Sequence, residues 1–119
     1  MHNFKELKIW QNAIDVSVRV YQLIHNFPVI ERYNLGIQLI KSSVSVTSNI
    51  AEGAGRNTDK DFLNFLGIAQ GSSYELQTQL IISNKLKLIS DKDFRSLNDS
   101  IEELEKMNYG FQKRLRSNV

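Results

Sequence analysis

Cysteine is absent from the 119 residues, and proline occurs once, at Pro28. A chain without cysteine has no disulfide framework, no thiolate nucleophile and no thiolate-ligated metal, and that usage fits a reducing, cytoplasmic setting. Histidine is nearly absent too. His2 sits at the terminus, and the residue three before His25 is Gln22, so the Glu-x-x-His pairs of di-iron bundles do not occur. Zinc sites and nucleophilic triads lack their imidazoles in the same way. We therefore expect no enzyme, no metal, no cofactor and no small-molecule substrate. Long apolar runs are missing as well: the longest are segments such as Leu80-Ile81-Ile82, far short of the roughly 18 residues of a membrane span. Met1 to Trp10 carries Lys5, Glu6 and Lys8, which interrupts any signal-peptide core. Charge of one sign is scarce. Fifteen Lys and Arg against thirteen Asp and Glu give +2, too little by itself to announce a nucleic-acid partner.

What is present is helical periodicity. With 41% apolar residues, a chain of this length can bury one core, and a single domain over residues 1–119 is expected. The first helix is predicted from about Lys5 to Asn26, on Leu7, Trp10, Ile14, Val18, Tyr21 and Ile24. Phe27-Pro28 ends it, because the residue before a proline is pushed out of the α region. A second helix spans about Glu31 to Ala54, with Tyr33, Ile37, Ile40, Val44, Thr47 and Ala51 on one face, and Gly53 and Gly55 stop it. Thr58 with Asp61 has capping-box spacing and starts a third, which carries Phe62, Phe65, Leu66, Ala69, Ser73, Leu76 and Leu80 to about Leu88 or Ile89. Ser90 with Asp93 repeats the signal, and Phe94, Leu97, Ile101, Leu104, Phe111 and Leu115 form the stripe of a fourth. Four long helices on short links predict an all-α, antiparallel up-down-up-down four-helix bundle.

The helices are unequal. Beside its first stripe, helix one carries Val16, Val20 and Leu23, so apolar residues cover roughly 220° of its circumference. Helix two adds Leu35, Leu39, Val46 and Ile50. A lone bundle buries one stripe per helix, and contiguous exposed apolar surface marks an interface. Val16, Val20, Leu23, Leu35, Leu39, Val46 and Ile50 are thus expected to form a homo-oligomer interface; the alternative is that both helices sit deeper in a monomer. Helix four, with one stripe, is the solvated outer member, and its Glu102, Glu103 and Glu105 read as a solvated charge run.

Gly67 and Gly71 inside helix three each cost about 1 kcal/mol against Ala, which points to close approach by a backbone or a bulky side chain such as Trp10. Gly53-Ala54-Gly55 follows a helix rather than a strand and reads as a helix end, not a phosphate loop. Basic residues gather at the chain end, where Lys113, Arg114 and Arg116 follow Lys106 without intervening acids and either contact phosphates or complement the helix dipole, and Arg56 has the same two readings. In a symmetric assembly each weak cluster recurs per subunit, and the fields add.

Leu7 to Ala13 (LKIWQNA), Phe27-Pro28 with Glu31, Tyr33, Leu35 and Gln38, Ser45-Val46, Asn49 to Gly53 with Gly55-Arg56, and Phe62 with Phe65 to Ser72 and Glu75-Leu76 form a pattern over nearly the whole chain. It resembles the small four-helix bundle proteins encoded in intervening sequences of bacterial 23S ribosomal RNA genes. Asn34 departs from the glycine of that pattern, at the start of helix two. The resemblance implies a homopentameric ring. It also extends to an accessory protein of diversity-generating retroelements that binds nucleic acid through a basic surface, and it brings no catalytic or ligand-binding residue with it. Two functions are expected from it: an RNA-binding oligomer using Arg56, Lys60, Lys113, Arg114 and Arg116, or a protein-interaction scaffold with no nucleic-acid affinity and no membrane partner.

Overall fold

The periodic segments are helical in the computed structural model, which describes residues 1–118; Val119, the last residue of the expected domain, lies outside the described residues. A 3-10 turn (Phe4–Glu6) leads into α1 (Lys8–Ile24). The second helix begins as α2 (Val29–Glu31), passes through a π turn (Arg32–Gly36) and continues as α3 (Ile37–Ala54). α4 (Asp59–Lys85) and α5 (Asp91–Arg116) follow, and no strand occurs among the described residues. α1 packs against α3 and α5, and α4 against α3 and α5, which closes a four-sided antiparallel bundle 46 Å long. Among the described residues no helix is long and apolar enough to cross a membrane.

Both predicted caps form. Thr58 Oγ1 accepts from the Asp61 N–H and Ser90 Oγ from the Asp93 N–H, each at 3.1 Å, satisfying donors that a helix start leaves free. α4 ends earlier than expected, at Lys85, because Lys87 turns left-handed (φ 61°) and the Leu88 N–H reaches back to the Ser83 carbonyl at 2.9 Å. Gly53 does not stop the second helix but lies inside it, buried. A Cβ there would stand 2.6 Å from Phe65 Cβ and 2.8 Å from Phe62 Cδ1, so the missing side chain is what lets α3 meet α4. Gly55 is the cap.

The faces of α1 and α3 are rotated relative to expectation. Val16, Val20, Leu39, Val46 and Ile50, expected at an interface, are at most 2% exposed in the core of the single chain, and Leu23 and Leu35 pack half-buried against that core. The stripe expected inside is divided: Ile24 and Thr47 are buried and Leu7, Trp10 and Ile40 pack against the core, while five of its residues face outward. Val18 is 49% exposed, Tyr21 52%, Tyr33 72% and Val44 41%, and Ile14 is exposed with them. Small residues decide which stripe turns inward. Ser17 Oγ donates to the Ser43 carbonyl at 3.1 Å and meets Thr47 Oγ1 at 3.1 Å, so α1 and α3 approach closely where short hydroxyl side chains satisfy themselves. Tyr21 and Tyr33 carry hydroxyls that water can satisfy and tolerate the rim. On α4 and α5 the expected stripes face the core: Phe62, Leu66, Ala69, Ser73, Leu76 and Leu80 are buried with Phe65 half-buried, and Leu97, Ile101, Leu104 and Leu115 are buried with Phe94 and Phe111 half-buried.

The fourth helix also buries two polar residues that the apolar stripe skips. Asn108 Nδ2 donates to the Leu66 carbonyl at 3.0 Å, and Gln112 Nε2 donates to Asn108 Oδ1 at 2.8 Å. Gly67 and Gly71, expected under a close neighbour, face open space, with nothing within 4 Å of a built Cβ.

Candidate nucleic-acid interface

Chain direction assembles the basic groups. The starts of α1 and α4 and the ends of α3 and α5 share one end of the bundle, which brings Lys5, Lys8, Arg56, Lys60, Lys113, Arg114 and Arg116 to that end. The N-terminus is tied down there: the His2 N–H donates to the Ala54 carbonyl at 2.8 Å, and the His2 ring packs on Phe62 with centroids 5.1 Å apart. Phe62 meets Phe111 edge-on at 5.3 Å, so an aromatic cluster seats the termini of three helices.

The five candidate phosphate contacts differ in their surroundings. Arg56 Nη2 donates to Glu52 Oε1 at 3.2 Å, and its guanidinium stacks 4.6 Å from the Phe65 ring centroid. Arg116 Nη2 donates to Gln112 Oε1 at 3.2 Å, which ties it to the buried amide pair. Lys60, Lys113 and Arg114 are exposed, and none forms an ion pair among the described residues. Lys8 and Lys106, neither among the five candidate contacts, join Arg114 along a groove of about 370 Å³ between the start of α1 and the end of α5. Helix spacing carried the missed signal, since Lys106, Gly110 and Arg114 recur at i, i+4 and i+8 on one face of α5.

A second cluster lies on the α4–α5 side, where the glutamates were read as a solvated run. Glu102 and Glu103 are exposed, but Glu105 stands four residues after Ile101 and three before Asn108, at the edge of the buried face. Burial, with the Glu102 charge adding to it, raises its pKa from 4.5 to about 7. Gln70, Tyr74 and Tyr109 line a depression of about 380 Å³ beside it. Gln70 Nε2 donates to the Glu105 carbonyl at 3.0 Å, while Gln70 Oε1 has no partner. A rotated Gln77 amide puts its nitrogen 2.8 Å from Glu105 Oε2. The carboxyl is thus surrounded by amides and phenols, an arrangement that can hold a proton among hydrogen-bonding neighbours. Among the described residues no three potential metal ligands converge.

The sequence profile of the 23S rRNA-intervening sequence proteins matches residues 5–110. The chain belongs to that family. Several residues that carry the resemblance have structural work in this fold. Asn49 Nδ2 donates to the Ser45 carbonyl at 2.8 Å, Ser45 and Ser72 hydroxyls meet at 2.8 Å across α3 and α4, Glu52 pairs with Arg56, and Gly53 admits Phe62 and Phe65. A solved structure shares the fold: a protein with unknown function from the S23 ribosomal protein family of Bacteroides thetaiotaomicron VPI-5482, with a TM-score of 0.81 and 23% identity over 88% of this chain and 98% of that one. No curated protein matches the chain.

Proposed function

We propose that this family member is a non-catalytic, cytoplasmic homo-oligomer that binds RNA phosphates through the basic end of each bundle. The gathering of seven cations at one end carries the reading: four acids, Glu6, Glu52, Asp59 and Asp61, share that end, Glu52 and Asp59 are engaged by Arg56 and His2, and the balance there stays positive. A separate acidic stretch, Asp99, Glu102, Glu103 and Glu105, lies along the middle of α5. Self-association supplies the multiplication. Ile14, Val18 and Tyr21 of α1 are exposed, and so are Tyr33 and Val44 of the second helix, which packs against α1; this is the kind of apolar surface that a second copy covers. The family resemblance implies a closed ring of five, in which copies of the basic end share one rim.

The test is fluorescence anisotropy on labelled RNA across a salt series. Phosphate binding predicts a linear fall of log affinity with log salt, with a slope of about −0.7 per contacted phosphate on single strands. Replacing Arg56, Lys60, Lys113, Arg114 and Arg116 by Gln is expected to flatten that slope. Binding that ignored salt, or that survived those replacements undiminished, would overturn the reading, and a stable protein partner with no RNA affinity would favour a scaffold.

A further inference from the structure

We infer that the groove between α1 and α5 receives one unpaired RNA nucleotide, its phosphates on Lys8, Lys106 and Arg114 and its base over the apolar floor. The inference rests on the RNA-binding reading above and gives it a site. Three exposed cations from two elements line this groove against one acid, Glu6, and none of the three forms an ion pair among the described residues. Their charge is available to an anion. The floor has the opposite character, with half-buried Phe111 and with Gly110, where a built Cβ would meet only Arg114 Nη1, at 3.8 Å. A missing side chain at that point leaves space directly under the cations. Arg114 sits with its guanidinium 5.6 Å from the Phe111 ring centroid, a planar cation held at the groove wall and able both to stack and to donate to phosphate.

Phosphate alone would use the cations and ignore the floor. A duplex keeps its bases inside its own stack and presents the same phosphates, so it too leaves the floor unused. An unpaired nucleotide brings a charged part and a flat apolar part together, which matches both halves of the groove.

The experiment compares a labelled oligouridylate, an RNA duplex of equal length and inorganic polyphosphate, using the full chain. Gly110→Leu fills the floor without altering charge and is expected to weaken oligouridylate binding about tenfold, the scale of one lost stacked base, while polyphosphate binding and the salt slope stay unchanged. Gly110→Ala meets ordinary contact distance and is expected to bind as the wild type does. Replacing Lys8, Lys106 and Arg114 by Gln should weaken all three ligands, and far more than the same change at Lys85, Lys87 and Lys92 at the opposite end. Circular dichroism confirms that each variant is folded. Undiminished oligouridylate binding by folded Gly110→Leu, preference for duplex, or equal losses from the two triple variants would overturn the groove alone. A wild-type protein that binds no RNA would overturn the groove and the function together.

Discussion

The same substitution, glycine to alanine, is expected to have opposite signs at two places in this bundle. Gly67 and Gly71 lie mid-α4, exposed, with open space around a built Cβ. Alanine there adds helix propensity of about 1 kcal/mol each and meets nothing, so the double variant should gain about 2 kcal/mol. At a domain of this size that raises the melting temperature by roughly 8 °C. Gly53 gains the same propensity but loses more. Its new Cβ would fall 2.6 Å from Phe65 Cβ, an atom fixed to the α4 backbone rather than the tip of a flexible chain, so α3 and α4 must part. Overpacking of that kind costs about 1–3 kcal/mol, leaving a net loss of up to about 2 kcal/mol. Urea denaturation followed by far-UV circular dichroism, at one fixed protein concentration because assembly shifts apparent stability, measures all three. A Gly53→Ala protein that gained stability, as Gly67→Ala and Gly71→Ala should, would refute the packing argument. Destabilisation by Gly67→Ala or Gly71→Ala would refute the open surface on α4 and place another copy against it.

Other outcomes follow from individual groups. Lys87→Gly should stabilise by about 1 kcal/mol in the same denaturation assay, because only glycine occupies a left-handed helix end without steric penalty. Asn108→Ala should cost about 1–3 kcal/mol by stripping Gln112 and the Leu66 carbonyl of a buried partner. Glu105 has a folded pKa above its unfolded one, so the folded state holds the extra proton between pH 4.5 and about 7, and stability should fall as pH rises through that window. Glu105→Gln should remove that fall, matching the wild type near pH 4 and exceeding it near pH 8; an unchanged pH profile would sink the assignment.

Helix number, order and caps were legible because capping boxes and apolar spacing are local. Thr58 and Ser90 start their helices as read, and single-stripe α5 buries its stripe. The choice between two adjacent apolar stripes on α1 and α3 was not legible, since both satisfy helical periodicity. It is set by what packs opposite: Ser17 against Ser43 and Thr47 brings the backbones close and turns Val16, Val20, Leu39, Val46 and Ile50 inward. Asn108 and Gln112 escaped for a related reason, because a polar residue is buried only where a partner such as the Leu66 carbonyl waits on another helix. Of the basic candidates, Arg56, Lys60, Lys113, Arg114 and Arg116 meet at one end because the chain order of the helix ends puts them there. Which of them already have partners, and that Lys8 and Lys106 share a groove with Arg114, depends on contacts between distant segments.

The account turns on the outer apolar stripe of α1 and α3 being covered by another copy. Sedimentation velocity on the wild type and on a Val18→Lys, Val44→Lys double variant tests it directly, since both positions are exposed in the single chain and neither supports its core. The wild type should sediment as a multiple of one chain, and the variant should remain helical but fall to the mass of a single chain. A wild type that stays monomeric at every concentration, or a double variant that assembles unchanged, would contradict it.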